Sequence, residues 1–192
     1  MIQYGNLKKA ILEKLHRELP TQYTYHSPAH IKDVLNASIA IGRLEKITGK
    51  ELTLLKTAAL FHDSGFIFGP ENHEKKSCEI AREYLPKYGY SSEDIERICG
   101  MIMATKIPQS PTNHLEEILA DADLDYLGRT DFFEIAQLLY REFSDAGIVK
   151  NEEEWNRLQV KFFESHHYFT ETSNKLRLKG KEQNLLKIKA KL

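Results

Sequence analysis

The 192-residue chain is short of several things. It has two cysteines, Cys78 and Cys99, too few for a disulfide framework; a reducing cytoplasm is the expected setting. Ten glycines and six prolines make about 8% of the chain, against an average near 12%. Few turn formers mean few, long elements, which favours helices. No apolar run approaches the roughly 18 residues of a membrane span; the longest, residues 98–104, is far shorter and includes Gly100. Residues 1–9 lack the basic and then apolar layout of a secretory signal. Charge of one sign is not in excess either. With 27 Lys and Arg against 28 Asp and Glu, no bulk field draws the chain to nucleic acid. The expectation is a cytoplasmic protein with no membrane or nucleic-acid partner.

What is present is a sizeable core and an unusual number of histidines. A chain of this length buries about 70% of its unfolded surface and needs no metal merely to fold. A metal site here is therefore read first as chemistry. The chain has eight histidines, and imidazole is the commonest metal ligand.

Helical periodicity runs along the whole chain. Leu7, Ile11, Leu15 and Leu19 recur every four residues, and Pro20 closes that segment. Ser27-Pro28 reads as an N-cap with a first-turn proline, ahead of a face formed by Ile31, Val34, Leu35, Ser38, Ile39 and Gly42. A third helix carries Leu52, Leu55, Ala59 and Leu60 into His62-Asp63, where Gly65, Gly69 and Pro70 break the chain. A fourth starts near Asn72 and stops at Pro86, and Ser91 with Asp94 resembles a capping box for a fifth. Further helices are expected over residues 114–126, 132–143, 155–169 and 174–192, the last rich in lysine. No convincing strand is found. The reading is all-α: one domain over residues 1–192 with eight or nine helices, including a C-terminal extension at 150–192.

Three clusters carry chemistry. The first is Tyr25-His26-Ser27-Pro28-Ala29-His30, with His30 in a first helical turn. The second is His62-Asp63, at the end of an apolar helix, where an acid is rarely buried without a partner. The third is Asp121-Ala122-Asp123-Leu124-Asp125. Relative to the face formed by Leu115, Ile118, Leu119, Ala122 and Tyr126, Asp123 lies about 60° from the centre at helical spacing. Asp125 lies about 100° away and Asp121 about 140°. Asp123 is therefore expected to point inward, with Asp121 and Asp125 solvated. Two imidazoles and two carboxylates suit Mn²⁺, Fe²⁺, Zn²⁺ or Co²⁺, and thiolate ligands are absent.

In order and spacing these motifs resemble the HD superfamily of metal-dependent phosphohydrolases. The matching features are Tyr25-His26-x-x-x-His30-x-x-x-Val34, Ala58-Ala59-Leu60-Phe61-His62-Asp63-Ser64-Gly65-Phe66, His73-Glu74-x-x-Ser77, Ile102-x-x-Thr105 and Asp121-Ala122-Asp123-Leu124-x-x-Leu127-Gly128. They cover residues 23–145. The resemblance implies an HD-type helical bundle and a metal held by His30, His62, Asp63 and Asp123. Asp121, which also follows an alanine, is the alternative for the last ligand. It implies a divalent cofactor (Mn, Fe, Mg, Zn, Co or Ni) and a phosphomonoesterase or phosphodiesterase acting on a small phosphoester, above all a nucleotide. Binuclear relatives add two histidines. His73 can be one, but Thr105 stands where the second would fall, so one ion per chain is expected.

Around this set, Asp63 is assigned the water's proton, and Glu74 or Glu71 orients or deprotonates that water, with His73 beside them. The other reading of Glu74 is a carboxylate that stabilises a helix N-terminus. His26, Lys106 and Arg129 are the substrate-binding candidates. His166 and His167 are read as packing residues in a core helix with Trp155, Leu158, Phe162 and Phe169. The competing function is a catalytically weak HD-fold module that binds or senses a nucleotide. Nothing in the sequence sets the oligomeric state.

Overall fold

Leu7, Ile11 and Leu15, the four-residue stripe of the first helix, are fully buried, and each such side chain contributes about 1.5–3 kcal/mol. The same logic builds the rest of the computed structural model, which describes residues 1–192. Nine α-helices follow in order: α1 (Tyr4–Glu18), α2 (Pro28–Leu44), α3 (Gly49–Phe61), α4 (His73–Tyr84), α5 (Ser92–Ala104), α6 (His114–Asp123), α7 (Phe132–Asp145), α8 (Glu152–Ser165) and α9 (Glu171–Lys189). Three short 3-10 helices, Ser64–Phe68, Leu85–Tyr88 and Asp125–Gly128, join them. There is no strand, as the sequence reading expects. No helix is long and apolar enough to cross a membrane.

Several starts carry their own caps. Ser91 Oγ accepts from Asp94 N at 3.2 Å, Asn113 Oδ1 from Glu116 N at 3.2 Å and Asn151 Oδ1 from Glu154 N at 2.9 Å. Ser27 holds the N-cap position of α2 with extended backbone but makes no side-chain capping bond; Pro28 behind it is pre-set for the first turn.

Two apolar clusters divide the interior. The larger gathers α1 to α6 around Leu54, Leu55, Leu60, Phe61, Ile98 and Ile118. The smaller joins Tyr25, Leu124, Tyr126, Phe132, Trp155 and Phe163 between α7, α8 and the chain near α6. His30 and His62 stand on elements of the first cluster, and Tyr25 and Leu124 belong to the second, so the histidines lie at the seam. The C-terminal helix is fastened there backbone to backbone. A Cβ on Gly180 would lie 2.1 Å from Gly128 O, and one on Gly128 would lie 2.3 Å from Arg177 O. Only hydrogens fit between α9 and the Asp125–Gly128 turn.

Two expected boundaries move. The sixth helix ends at Asp123, not near Tyr126, because Leu124 leaves helical geometry (φ −107°, ψ 16°) and the chain tightens into the turn that α9 covers. The eighth ends at Ser165. His166 is extended (φ −77°, ψ 142°), so His166 and His167 lie beyond α8 and not within it.

Candidate metal centre

The spacing problem of His62 and Asp63, two neighbours that diverge on a helix, is solved by ending the helix. Phe61 is the last residue of α3, and Asp63 leaves helical geometry (φ −106°, ψ 8°). His62 Nδ1 donates to Ala59 O at 2.9 Å, which turns Nε2 toward the seam. His30, in the first turn of α2, presents Nε2 at 3.3 Å from His62 Nε2. Asp123 Oδ1 stands 3.2 Å from the first nitrogen and 3.4 Å from the second. Asp63 Oδ2 stands 3.3 Å from His30 Nε2 and 3.2 Å from His62 Nε2. The ligand atoms of His30, His62 and Asp123 all lie within 4.8 Å of one another.

These edges match a common centre. Donors about 2.1 Å from one ion stand about 3.0 Å apart at right angles and about 3.4 Å apart at tetrahedral angles. The charges agree. Burial opposes ionisation at Asp123, but bonds to His30 and His62 hold its carboxyl down at about 2. Burial likewise opposes Asp63, and the His62 charge leads in holding it well below the usual carboxylate range. Burial pushes the His62 imidazole down, and Asp63 and Asp123 outweigh it, so its pKa stands well above the ordinary value. Two ionised carboxylates and two basic nitrogens, nearly shut off from water, make a donor set that fits a divalent cation.

The surrounding shell is braced. Ser77 Oγ donates to His62 O at 2.7 Å and accepts from Gly65 N at 2.8 Å, which fastens the His-Asp loop to α4. A Cβ on Gly65 would lie 2.0 Å from His73 O. That contact seats His73, whose Nδ1 donates to Pro70 O at 3.0 Å and whose Nε2 lies 3.5 Å from both Asp63 Oδ1 and Glu74 Oε1. Phe66 stands between the two outer imidazoles, stacked at 4.0 Å on His26 and at 4.3 Å from His73. Glu74 is buried at the start of α4.

One contributor was absent from the sequence reading. Glu142 of α7 is buried, accepts from His26 N at 2.9 Å and from Tyr25 N, and faces His26 Nδ1 at 2.6 Å. The available signal was a carboxylate three residues after Leu139 and next to Phe143, beside the apolar residues of α7.

The structure corrects other expectations. Asp121 and Asp125 are not solvated. Asp121 is fully buried, its Oδ1 accepting from Phe169 N at 2.9 Å and its Oδ2 from Thr170 N at 2.8 Å and Thr170 Oγ1 at 2.7 Å. Asp125 is buried too and accepts from Arg177 Nε at 2.7 Å. The apolar stripe of α6 shows only its inner face; the segment around Phe169 and α9 covers the sides. These bonds occupy both oxygens of Asp121, which leaves Asp123 as the carboxylate at the centre. Arg129 is not brought to the cavity. Its guanidinium is held by Asp33 at 2.8 Å and Asp131 at 2.6 Å. Lys106 and His26 do line it. Of the remaining histidines, His16 is exposed, His114 pairs with Glu117 and Glu45, and His166 packs between Phe162 and Tyr168. The cavity beside the centre measures about 500 Å³ and reaches from Asp63 and Asp123 to Trp155 of α8.

The same fold is seen elsewhere. A crystal structure of a predicted HD superfamily hydrolase from an uncultured Thermotogales bacterium matches 95% of this chain and 91% of its own, with a TM-score of 0.63 and 21% identity. Bacillus subtilis YpgQ, solved in complex with ADP, matches 96% and 94%, with a TM-score of 0.64 and 19% identity. An uncharacterized protein of Clostridium beijerinckii is 34% identical over 84 residues, a stretch of 42% of this chain and about half (53%) of that relative's length. The family model for the HD domain matches residues 29–125, which begin beside His30 and end beyond Asp123. That match spans half of the chain and takes in all four converging donors, and the chain belongs to the HD domain family.

Proposed function

We propose that the chain is a metal-dependent phosphohydrolase that cleaves a small phosphoester, a nucleotide in particular. The observation that carries this is the convergence of His30, His62, Asp63 and Asp123 on one point at the end of a cavity. The reading takes one divalent ion per chain. When bound, that ion supplies Lewis acidity toward a phosphoryl oxygen and toward the attacking water. ADP in the YpgQ complex supports a nucleotide as ligand.

The chain's own residues would do the rest. Asp63 Oδ1, the oxygen nearest His73, accepts a proton from water as the water oxygen bonds to phosphorus. The ester P–O bond breaks, and the leaving oxygen takes a proton from solvent, giving an alcohol and phosphate. Glu74 and His73 orient the water from the α4 side. His26 has Nδ1 occupied by Glu142, so Nε2 is its free end toward the phosphoryl oxygens, and Lys106 meets their charge at the mouth. Residues 1–192 act as one HD-type unit in which α7 and α8 close the cavity. A cytoplasmic location belongs to the same reading, supported by Cys78 and Cys99, which are buried free thiols.

The test is purification without chelator, metal analysis, and product analysis with Mn²⁺ across nucleotides. Phosphate release by the native chain and none by His62→Ala supports the reading. A chain that carries metal and binds nucleotide without turnover is instead the binding module.

A further inference from the structure

The cavity has two unlike halves. One is lined by Asp63, Glu74, His73 and Asp123, with Lys106 exposed at its mouth. The other runs between α7 and α8, past Leu139, Phe143 and Trp155, and those two helices contribute no charged side chain to it. Its one side-chain amide is Gln159, which is 7% exposed. Gln159 Nε2 donates to Asn156 Oδ1 at 3.3 Å, and the residue lines the cavity.

The charged half is equally informative. Lys106 is the only Lys or Arg that lines the cavity. Arg129, the next candidate, is neutralised by Asp33 and Asp131. The charge of a divalent ion plus Lys106 is matched by Asp63, Glu74 and Asp123, so the site is near neutral before substrate arrives. One phosphate adds about −1.5 to −2. A triphosphate roughly doubles that, with no further cation to meet it at close range.

We infer that the substrate is a nucleoside carrying a single phosphate. Its base sits between α7 and α8, flanked by aromatic side chains, with its hydrogen-bonding edge on Gln159. A cavity of about 500 Å³ lies within the range of small-molecule sites. This rests on the phosphohydrolase reading above and adds to it the number of phosphates and the residue that reads the base.

The test uses the Mn²⁺-loaded chain and follows substrate loss by chromatography. The substrates are the mono-, di- and triphosphate of one nucleoside, and 1-naphthyl phosphate, an aromatic monoester without a hydrogen-bonding edge. The monophosphate is expected to exceed the triphosphate at least about tenfold in kcat/KM, a comparison that needs no variant. In Gln159→Leu the ratio of nucleoside monophosphate to 1-naphthyl phosphate is expected to fall about tenfold. Equal or better turnover of the triphosphate overturns the phosphate count. A substrate ratio that Gln159→Leu leaves unmoved overturns the role of Gln159. A metal-loaded chain that cleaves none of the four, 1-naphthyl phosphate included, overturns the phosphohydrolase reading itself and this inference with it.

Discussion

His30 Nε2 and His62 Nε2 lie 3.3 Å apart, although the two residues are 32 positions apart and stand on different helices. Each nitrogen is flanked by the same two carboxylates, one from Asp63 and one from Asp123. Two buried imidazoles and two carboxylates aimed at one point are a donor set that suits a divalent cation.

The two aspartates of α6 can be told apart by what they lose. Asp123→Asn should empty the metal site and abolish turnover while leaving the chain folded. Asp121→Asn should keep the metal but cost about 1.5–3 kcal/mol of stability, the range for bonds to a buried charged group. Metal analysis and urea unfolding of both variants check this. Metal loss in Asp121→Asn with metal kept in Asp123→Asn would reverse the assignment.

Gly65 is predicted to act through His73. Its Cβ position lies 2.0 Å from His73 O, so Gly65→Ala must push the first turn of α4 away from Asp63. Turnover should drop at least about tenfold, as small misplacements near a reacting centre do. Bound metal should stay near the native level, because His30, His62 and Asp123 are not on α4. Native kcat in the variant would contradict this role.

The packing of α9 rests on two glycines. Gly180→Ala places a Cβ 2.1 Å from Gly128 O and should destabilise the chain by about 1–3 kcal/mol. Hydrogen exchange should show the loss first in residues 171–189. Unchanged protection there would mean that the helix is held by other contacts.

His166 sets a pH dependence away from the metal. Burial, then the Lys181 charge, lowers its pKa to about 3, against about 6.5 unfolded. The folded chain therefore holds it neutral. That stability is complete above pH ~6.5 and is lost as pH falls toward 3. At pH 5 the loss from this one group is about 2 kcal/mol relative to neutral pH. His166→Phe should remove it, so its stability relative to the native chain should rise between pH 7.5 and pH 5. Urea unfolding at the two values decides it; parallel losses in both proteins would rule out a buried neutral His166.

Much of the centre was legible because its donors announce themselves locally. His62-Asp63 closes an apolar helix, His30 follows a proline N1, and Asp123 lies nearest the inner face of α6. What was hidden depends on distant partners. Asp121 is buried by Phe169 and Thr170, 48 and 49 residues away, which no wheel drawn on α6 can show. Glu142 reaches back 117 residues to Tyr25. Arg129 follows α6 in sequence, but Asp33 on α2 draws it aside.

The most direct measurement is the metal content of the native chain beside His62→Ala, both purified without chelator and both shown to be folded by circular dichroism. One divalent ion per native chain and none in the variant is the predicted result. Equal metal in the two proteins, or none in either after incubation with Mn²⁺, would contradict the assignment of His30, His62, Asp63 and Asp123 as the metal centre.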